Sequence, residues 1–283
     1  MIIDFHTHIL PPSFRESRLE LAARDATCHA LFSGEVVKVA TADQLVSAMD
    51  EDGVDVAVAL GYGWCDLGFA QLANAYTLES AAKFGERIVP FCTVDPAWGD
   101  AALLEIEHCA AAGARGIGEL HPASQGIDLA TDERLAEVMA LAERLGLMVL
   151  VHSSEPVGHA YAGKGDTHPR KLLAFAERFP RNVIVCAHWG GGLPFYELMP
   201  EVQAALVNVY FDTATSPFLY RQNVFPAVAA AAGSGKVLFG SDYPLIRPGR
   251  VIAEAKTGLT PHETQDVLGR NAARLLRLEA GTP

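Results

Sequence analysis

The stretch Leu147-Met148-Val149-Leu150-Val151-His152 is apolar at every position but the last, where it turns abruptly polar. A run so short and so continuous reads as a strand buried on both faces, as in a parallel sheet. Gly146 precedes it and Ser153-Ser154 follow it, so turn-forming residues bound it on both sides. Seven further segments share this form: residues 2–8, 54–60, 87–94, 115–120, 183–188, 207–212 and 237–242.

Amphipathic stretches alternate with these runs. Residues 41–50 open on Thr41 and Gln44 in capping-box spacing and are followed by Gly53. Residues 100–112 end at Gly113, residues 131–145 run from Thr131 to Gly146, and residues 168–179 stop at Pro180. Residues 218–232 end at Gly233, and residues 260–278 begin with Thr260 as N-cap and Pro261 at the first helical position. Helical signals are fainter over residues 68–84 and 194–206.

Eight strands alternating with helices predict an α/β chain folded as a (β/α)8 TIM barrel, one domain over residues 1–283. The rival architecture, an open doubly wound sheet, lacks support. No Gly-rich dinucleotide fingerprint follows a strand, Gly190-Gly191-Gly192 has the wrong spacing, and there is no P-loop. Linkers, repeats and low-complexity stretches are absent from the sequence. Three connections are long: residues 9–40, 153–167 and 243–259 follow the first, fifth and eighth strands. All leave the C-terminal ends of strands, where a barrel keeps its active site, and are expected to form walls or lids.

Composition excludes several function classes. The chain has 22 Lys+Arg against 34 Asp+Glu, and 22 − 34 gives −12. With no basic run, it is poorly suited to phosphate backbones or to an anionic membrane surface. No stretch reaches the roughly 20 uncharged apolar residues of a membrane span. The N-terminus shows no export signal, and five scattered cysteines without a CxxC pair read as buried thiols. A cytoplasmic protein acting on a small molecule is expected. The outer helices of a barrel leave room for a homo-oligomer, though nothing in the sequence marks an interface.

Polar residues gather at the strand ends. Asp4, His6 and His8 alternate, which places them on one face of the first strand, with Ile3, Phe5 and Thr7 on the other. Helices cover the outside of a barrel, so the polar face is expected inside. His152 ends the fifth strand, His188 the sixth and Asp242 the eighth, and Glu119 lies near the end of the fourth. Each has a plain structural alternative: Asp242 as a turn cap, His188 bonded to a carbonyl, Glu119 paired with Arg115. Their conjunction on one rim favours a site for a divalent cation, with imidazoles and carboxylates suiting Zn²⁺ and also Mn²⁺ or Fe²⁺.

The motifs Asp4-Phe5-His6-Thr7-His8, Ala187-His188-Trp189-Gly190-Gly191 and Phe239-Gly240-Ser241-Asp242-Tyr243-Pro244 resemble the amidohydrolase superfamily, and within it the amidohydrolase-related branch. That branch also holds nonoxidative decarboxylases resembling aminocarboxymuconate-semialdehyde decarboxylase. The resemblance runs from Ile3 to Asn271-Ala272-Ala273-Arg274-Leu275-Leu276. It implies that His6, His8 and His152 are metal ligands, and that Asp242 is a ligand that also takes a proton from water. It implies that His188 is a second-metal ligand or an acid/base residue, and that Asp4 orients ligands without binding metal. Many binuclear members carry a modified lysine on the fourth strand. Here Glu119 stands there, which keeps both one-metal and two-metal sites open.

The expected activity is metal-dependent hydrolysis of an amide, lactone or ester by water activated at the metal, with Asp242 and His188 as catalytic residues. The alternative is nonoxidative decarboxylation of a small, aromatic carboxylic acid. Glu119 tilts the expectation to hydrolysis, because its charge would repel a substrate carboxylate. A metal-binding barrel without activity and a barrel-type metal-dependent nuclease are remoter readings. Candidate substrate contacts in the long connections are Arg15, Trp64, His121, Tyr161 and Arg247, with Phe14, Arg18, His159, Lys164 and His168 nearby in sequence.

Overall fold

The computed structural model of the chain describes residues 1–278 and contains one eight-stranded parallel sheet in the order β1 to β8. The strands are β1 Ile3–His8, β2 Val56–Leu60, β3 Ile88–Cys92, β4 Gly116–Leu120, β5 Met148–Val151, β6 Ile184–Cys186, β7 Val209–Asp212 and β8 Val237–Leu238. The segment after β8 closes the barrel onto β1. The backbone N–H of Phe5 donates to the Phe239 carbonyl at 2.7 Å, Asp242 N–H to the His6 carbonyl at 2.8 Å, and His8 N–H to the Tyr243 carbonyl at 2.7 Å. This is the predicted (β/α)8 barrel.

Side-chain alternation identifies the two faces of the wall. On β2, Ala57 and Ala59 pack outward with Leu45 and Met49 of the helix Ala42–Asp52. Val56, Val58 and Leu60 therefore point inward, where they join Ile3, Phe5, Val89, Phe91, Met148, Leu150, Val185 and Leu238. Phe5 and Phe91 meet edge to face at 5.9 Å. Ala272 and Leu276 of the last helix complete this interior cluster.

Two strands break the alternation. Asp4 aligns with Ala57 and Thr7 with Ala59, so β1 spends three steps where β2 spends two. Likewise Ile117 aligns with Val149 and Leu120 with Val151, so β4 carries one residue more than β5. Each extra residue is a bulge, and it reverses which parity faces inward. Below the bulge Ile3 and Phe5 face the interior; above it His6 and His8 do. Asp4 shares the outward register of Ala57, which corrects the expectation that Asp4, His6 and His8 occupy one face. On β4, Ile117 and Leu120 both pack outward and Glu119 is turned in.

Several other expectations need correction. The segment after β8 is not a long loop, because residues 248–258 form the helix Pro248–Gly258, whose Val251, Ile252 and Ala255 are buried. Pro248 is at home in the first turn of this helix. The connection after β1 holds two helices, Phe14–Ala22 and Ala26–Phe32, and only residues 153–167 lack regular structure. The predicted helix over 218–232 is split into Ser216–Leu219 and Val224–Ala232, and the one over 131–145 begins at Arg134. Residues 260–278 divide into Pro261–Gln265, a π turn Asp266–Arg270 and Asn271–Leu276. β6 and β8 end before His188 and Asp242, which take positive φ angles of 53° and 64°.

Gly116 reports on interior packing. A Cβ there would collide with the Phe91 ring, whereas a Cβ at Gly235 would meet nothing within 4 Å. Gly116→Ala is expected to lower unfolding free energy by about 1–3 kcal/mol through overpacking. Gly235→Ala should leave the urea midpoint nearly unchanged, and equal midpoints for the two variants would refute this account of the interior.

Candidate metal centre and its cavity

Above the apolar interior, the strand ends deliver a buried cluster of imidazoles and carboxylates. Glu119 lies at its middle, 2% exposed. Its Oε1 is 3.0 Å from His152 Nδ1 and 3.5 Å from His188 Nε2. Its Oε2 is 3.2 Å from His121 Nε2 and 3.6 Å from both His6 Nε2 and His8 Nε2. Asp242 Oδ1 approaches His8 Nε2 at 3.4 Å and His6 Nε2 at 3.8 Å. His188 Nε2 stands 3.2 Å from His152 Nδ1.

Asp212, at the end of β7, fixes the geometry from below. Its Oδ2 is 2.8 Å from His6 Nδ1, while its Oδ1 accepts from the backbone N–H groups of His188 at 2.9 Å and Ala214 at 3.0 Å. An ionised carboxylate only accepts, so the hydrogen sits on His6 Nδ1 and the Nε2 face is turned to the cluster. That Nε2 lies 3.1 Å from His8 Nε2. Gly240 makes room, since a Cβ there would come 2.7 Å from the His6 Cβ. Asp4 acts on the backbone: its Oδ1 accepts from Ser241 N–H at 2.9 Å and His6 N–H at 3.2 Å.

The electrostatics demand positive charge. Burial works against ionised His6, but Asp212 and Glu119 outweigh it and raise its pKa well above the ordinary value. Burial likewise opposes charge on His188, yet the hydrogen bond and charge of Glu119, then Asp242, hold it at about 9. Burial would raise the Glu119 carboxyl, but His121 and His6 pull it well below the usual range. Asp242 is held at about 2 against burial by its bond to His8 and the charges of His6 and His8. Burial lowers His152, leaving it neutral at pH 7, and its Nε2 is buried without a hydrogen-bond partner. Asp4 is pushed up to about 7 by burial.

A pocket that raises buried imidazoles in this way favours a cation. Three sets of donor atoms lie within 4.8 Å of one another: His6, His8 and Glu119; His6, His188 and Asp242; and Glu119, His152 and His188. The mixed N/O donors and the orphaned His152 nitrogen fit a divalent ion.

A cavity of about 560 Å³ opens over the cluster. His8, Glu119, His121, His152, His188 and Asp242 form its polar floor, with His8 stacked on Tyr62 at 4.0 Å. Its walls come mainly from the connections after β1, β5, β7 and β8: Leu31, Phe32, Val36, Val37, His159, Tyr161, Phe218, Leu219, Pro244 and Leu245 among them.

Of the residues expected to touch substrate, His121, Tyr161 and His159 line this cavity. Three do not. Arg15 donates to the Val39 carbonyl at 2.8 Å, away from the floor. Trp64 is fully buried among Phe14, Phe32 and Phe69. Arg247 is held by Glu51 at 2.8 Å and Asp52 at 3.0 Å on the helix Ala42–Asp52. Phe14, Arg18, Lys164 and His168 are also absent from the lining. Sequence reasoning missed Asp212, although it ends an apolar run as His152 does. It also missed Thr215, whose Oγ1 lies 2.9 Å from His188 Nδ1, and Lys38 at the cavity rim.

The family described as Amidohydrolase matches residues 3–278. The chain belongs to this amidohydrolase family. Among solved structures it is similar to a 5-carboxyvanillate decarboxylase from Sphingomonas paucimobilis, at 17% identity and TM-score 0.74, covering 98% of each chain. It is similar to a 2,6-dihydroxybenzoate decarboxylase from Rhizobium at 17% identity and TM-score 0.70, covering 99% of each. A 5-carboxyvanillate decarboxylase from Novosphingobium aromaticivorans, complexed with manganese and 4-hydroxy-3-methoxy-5-nitrobenzoic acid, matches at 16% identity and TM-score 0.75, covering 98% of this chain and 96% of that one. At these identities the likeness is one of fold. No curated protein matches the sequence. Among the described residues, no helix is long and apolar enough to cross a membrane.

Asp212→Asn tests the framework of the site. An amide cannot accept from His6 Nδ1–H and from two backbone N–H groups at once, so one buried donor loses its partner. Stability should fall by about 1–3 kcal/mol in chemical denaturation. A midpoint equal to that of the unsubstituted protein would show that Asp212 does not hold His6.

Proposed function

We propose that this amidohydrolase-family protein is a metal-dependent nonoxidative decarboxylase of a small aromatic carboxylic acid. The observation that carries this reading is the surroundings of Glu119. On sequence grounds its charge should repel a substrate carboxylate. In the folded chain the imidazoles of His6, His8, His121, His152 and His188 lie between 3.0 and 3.6 Å from it. Its charge is therefore offset before a substrate arrives. The apolar and aromatic walls, with Phe32, Tyr62 and Phe218, suit a flat ring above that floor. The decarboxylases of aromatic acids that share the fold support the same reading.

His6, His8, His152 and Asp242, with Glu119 beside them, are the residues that would hold the ion. Their donor chemistry admits Zn²⁺, Mn²⁺ or Fe²⁺, and the manganese of the Novosphingobium enzyme favours trying Mn²⁺ first. When bound, a divalent cation supplies Lewis acidity toward substrate oxygen atoms. The chain's own residues do the rest. Phe32, Tyr62 and Phe218 orient the ring and exclude water. Asp212 keeps the His6 ring turned to the floor. His188, steadied by Thr215, delivers a proton to the ring carbon as the carboxylate carbon departs. The balance is one proton consumed and one CO2 released for each acid, leaving the ring with hydrogen in place of the carboxylate. Hydrolysis is the second reading, favoured by Asp242, a carboxylate at the cavity floor beside His6 and His8 that would take a proton from water.

Manganese- or zinc-loaded protein should release CO2 from a panel of hydroxybenzoic acids and no acid from lactones, esters or amides. Chelation should abolish the release. His188→Gln should lower kcat by about 10²–10⁴-fold while metal per chain stays constant. Acid release from a lactone with no CO2 from any aromatic acid would overturn the decarboxylase in favour of the hydrolase.

A further inference from the structure

Among the described residues, five other than glycine take a positive φ: His188, Trp189, Thr215, Asp242 and Arg277. Arg277 ends the last helix, and the other four lie in the turns after β6, β7 and β8. Thr215 is the least expected of them. At φ 56° and ψ 11° it is left-handed, a conformation that is an outlier for a β-branched side chain. It precedes the short helix Ser216–Leu219, yet its hydroxyl caps nothing there. Instead Thr215 Oγ1 lies 2.7 Å from the Ala214 carbonyl and 2.9 Å from His188 Nδ1. Neighbouring bonds hold the turn in place. Trp189 Nε1–H donates to Ser216 Oγ at 2.7 Å, and that hydroxyl donates to the Thr213 carbonyl at 2.6 Å. Asp212 Oδ1 accepts from the backbone N–H groups of His188 and Ala214.

Counting hydrogens assigns the direction of these bonds. The Ala214 carbonyl faces Thr215 Oγ1 and, at 3.3 Å, His188 Nδ1. A carbonyl only accepts, so each of these atoms must bring a hydrogen. The single hydroxyl hydrogen of Thr215 goes to the carbonyl, which leaves Oγ1 an acceptor toward Nδ1. His188 thus carries a hydrogen on Nδ1, and Nε2 is left to exchange protons. Nε2 is also the nitrogen at the floor, 3.2 Å from His152 Nδ1 and 3.5 Å from Glu119 Oε1. We infer that Thr215 is a positioning residue: its hydroxyl locks His188 in the orientation and tautomer that make Nε2 the reactive nitrogen, and this task is what keeps a threonine in a left-handed turn. The inference rests on the decarboxylase reading only for the destination of the proton. There the Nε2–H bond breaks, and the electron pair of the broken ring–carboxylate bond forms the new C–H bond as CO2 leaves. The imidazole keeps its hydrogen on Nδ1 and regains the other from solvent.

The test begins with NMR of isotope-labelled histidine in zinc-loaded protein, which requires no turnover. The signals of His188 are those lost in His188→Gln, and they should show a hydrogen on Nδ1. Its resonance should move upfield and exchange faster with water in Thr215→Val, and stay in place in Thr215→Ser. A bare Nδ1 in the unsubstituted protein, or a resonance indifferent to Thr215→Val, would overturn the inference. Thr215→Val should lower kcat for CO2 release at least about tenfold with KM and metal per chain unchanged, and Thr215→Ser should recover most of it. An undiminished kcat in Thr215→Val would also overturn it. Thr215→Gly and Thr215→Ala both lose the hydroxyl, so their urea midpoints compare the backbone alone. The glycine variant should unfold at the higher urea concentration, and the reverse order would refute a left-handed turn held against the preference of its side chain. If no aromatic acid releases CO2 but the Nδ1 hydrogen is present and responds to Thr215, the decarboxylase reading fails and the role of Thr215 stands.

Discussion

The site depends on a slip of phase in two strands. A strand in a closed barrel alternates strictly between interior and exterior, so whatever parity fills the lower core also dictates what reaches the mouth. On β1 that rule would oppose Phe5 in the core to His6 and His8 at the mouth. On β4 it would leave Glu119 outside with Ile117. One additional residue in each strand removes the conflict. The lower interior keeps Ile3, Phe5 and Phe91, and the mouth receives His6, His8 and Glu119. β5 and β7 need no such device, because Met148, Leu150 and His152, and likewise Tyr210 and Asp212, already share a parity.

Once Glu119 is inside, the electrostatics of the mouth follow. A buried carboxylate is expensive unless paired, and the effective cost is several kcal/mol even after relaxation. Four imidazoles from three other strand ends, together with His121, surround it, and Asp212 orients one of them. The same carboxylates raise His6 and His188, so the cluster is balanced by protons or by a metal cation in their place. The overall charge of −12 is therefore a poor guide to the field at the mouth. Asp4, Glu119, Asp212 and Asp242 count toward that total, yet each is spent on a local partner.

The strands were legible in the sequence because a two-sided burial leaves uninterrupted apolar runs, and His152 was legible because its run obeys simple alternation. Asp4 was misassigned because a bulge has no composition of its own; it is visible only in the register against a neighbouring strand. Arg247 was misassigned for a different reason. Its helix begins beside the helix Ala42–Asp52, and Glu51 and Asp52 capture its guanidinium before it can turn to the cavity. Trp64 looked like a wall residue because it follows β2, but the aromatic cluster of Phe14, Phe32 and Phe69 buries it behind the wall. Asp212 carried the same signal as His152, an acid or imidazole closing an apolar run, and needed only to be weighed with it.

Hydrolysis and decarboxylation call for nearly the same floor, which is why the floor residues do not divide them. Both need oxygen atoms held against a cation, a carboxylate to manage charge and an imidazole to move a proton. The division lies in what stands above. A hydrolase must admit water to the bond it breaks, so polar walls serve it. A decarboxylase must hold a carboxylate so that its bond to the ring can break while the departing charge spreads into the ring, and dry aromatic walls serve that end. Phe32, Tyr62, Phe218 and Leu219 form walls of the second kind, and they come from connections whose sequence the barrel itself does not constrain. Under the proposed decarboxylase reading, reaction class is set by the segments after β1, β2 and β7, while β1, β4, β5, β6 and β8 supply a floor that either reaction could use.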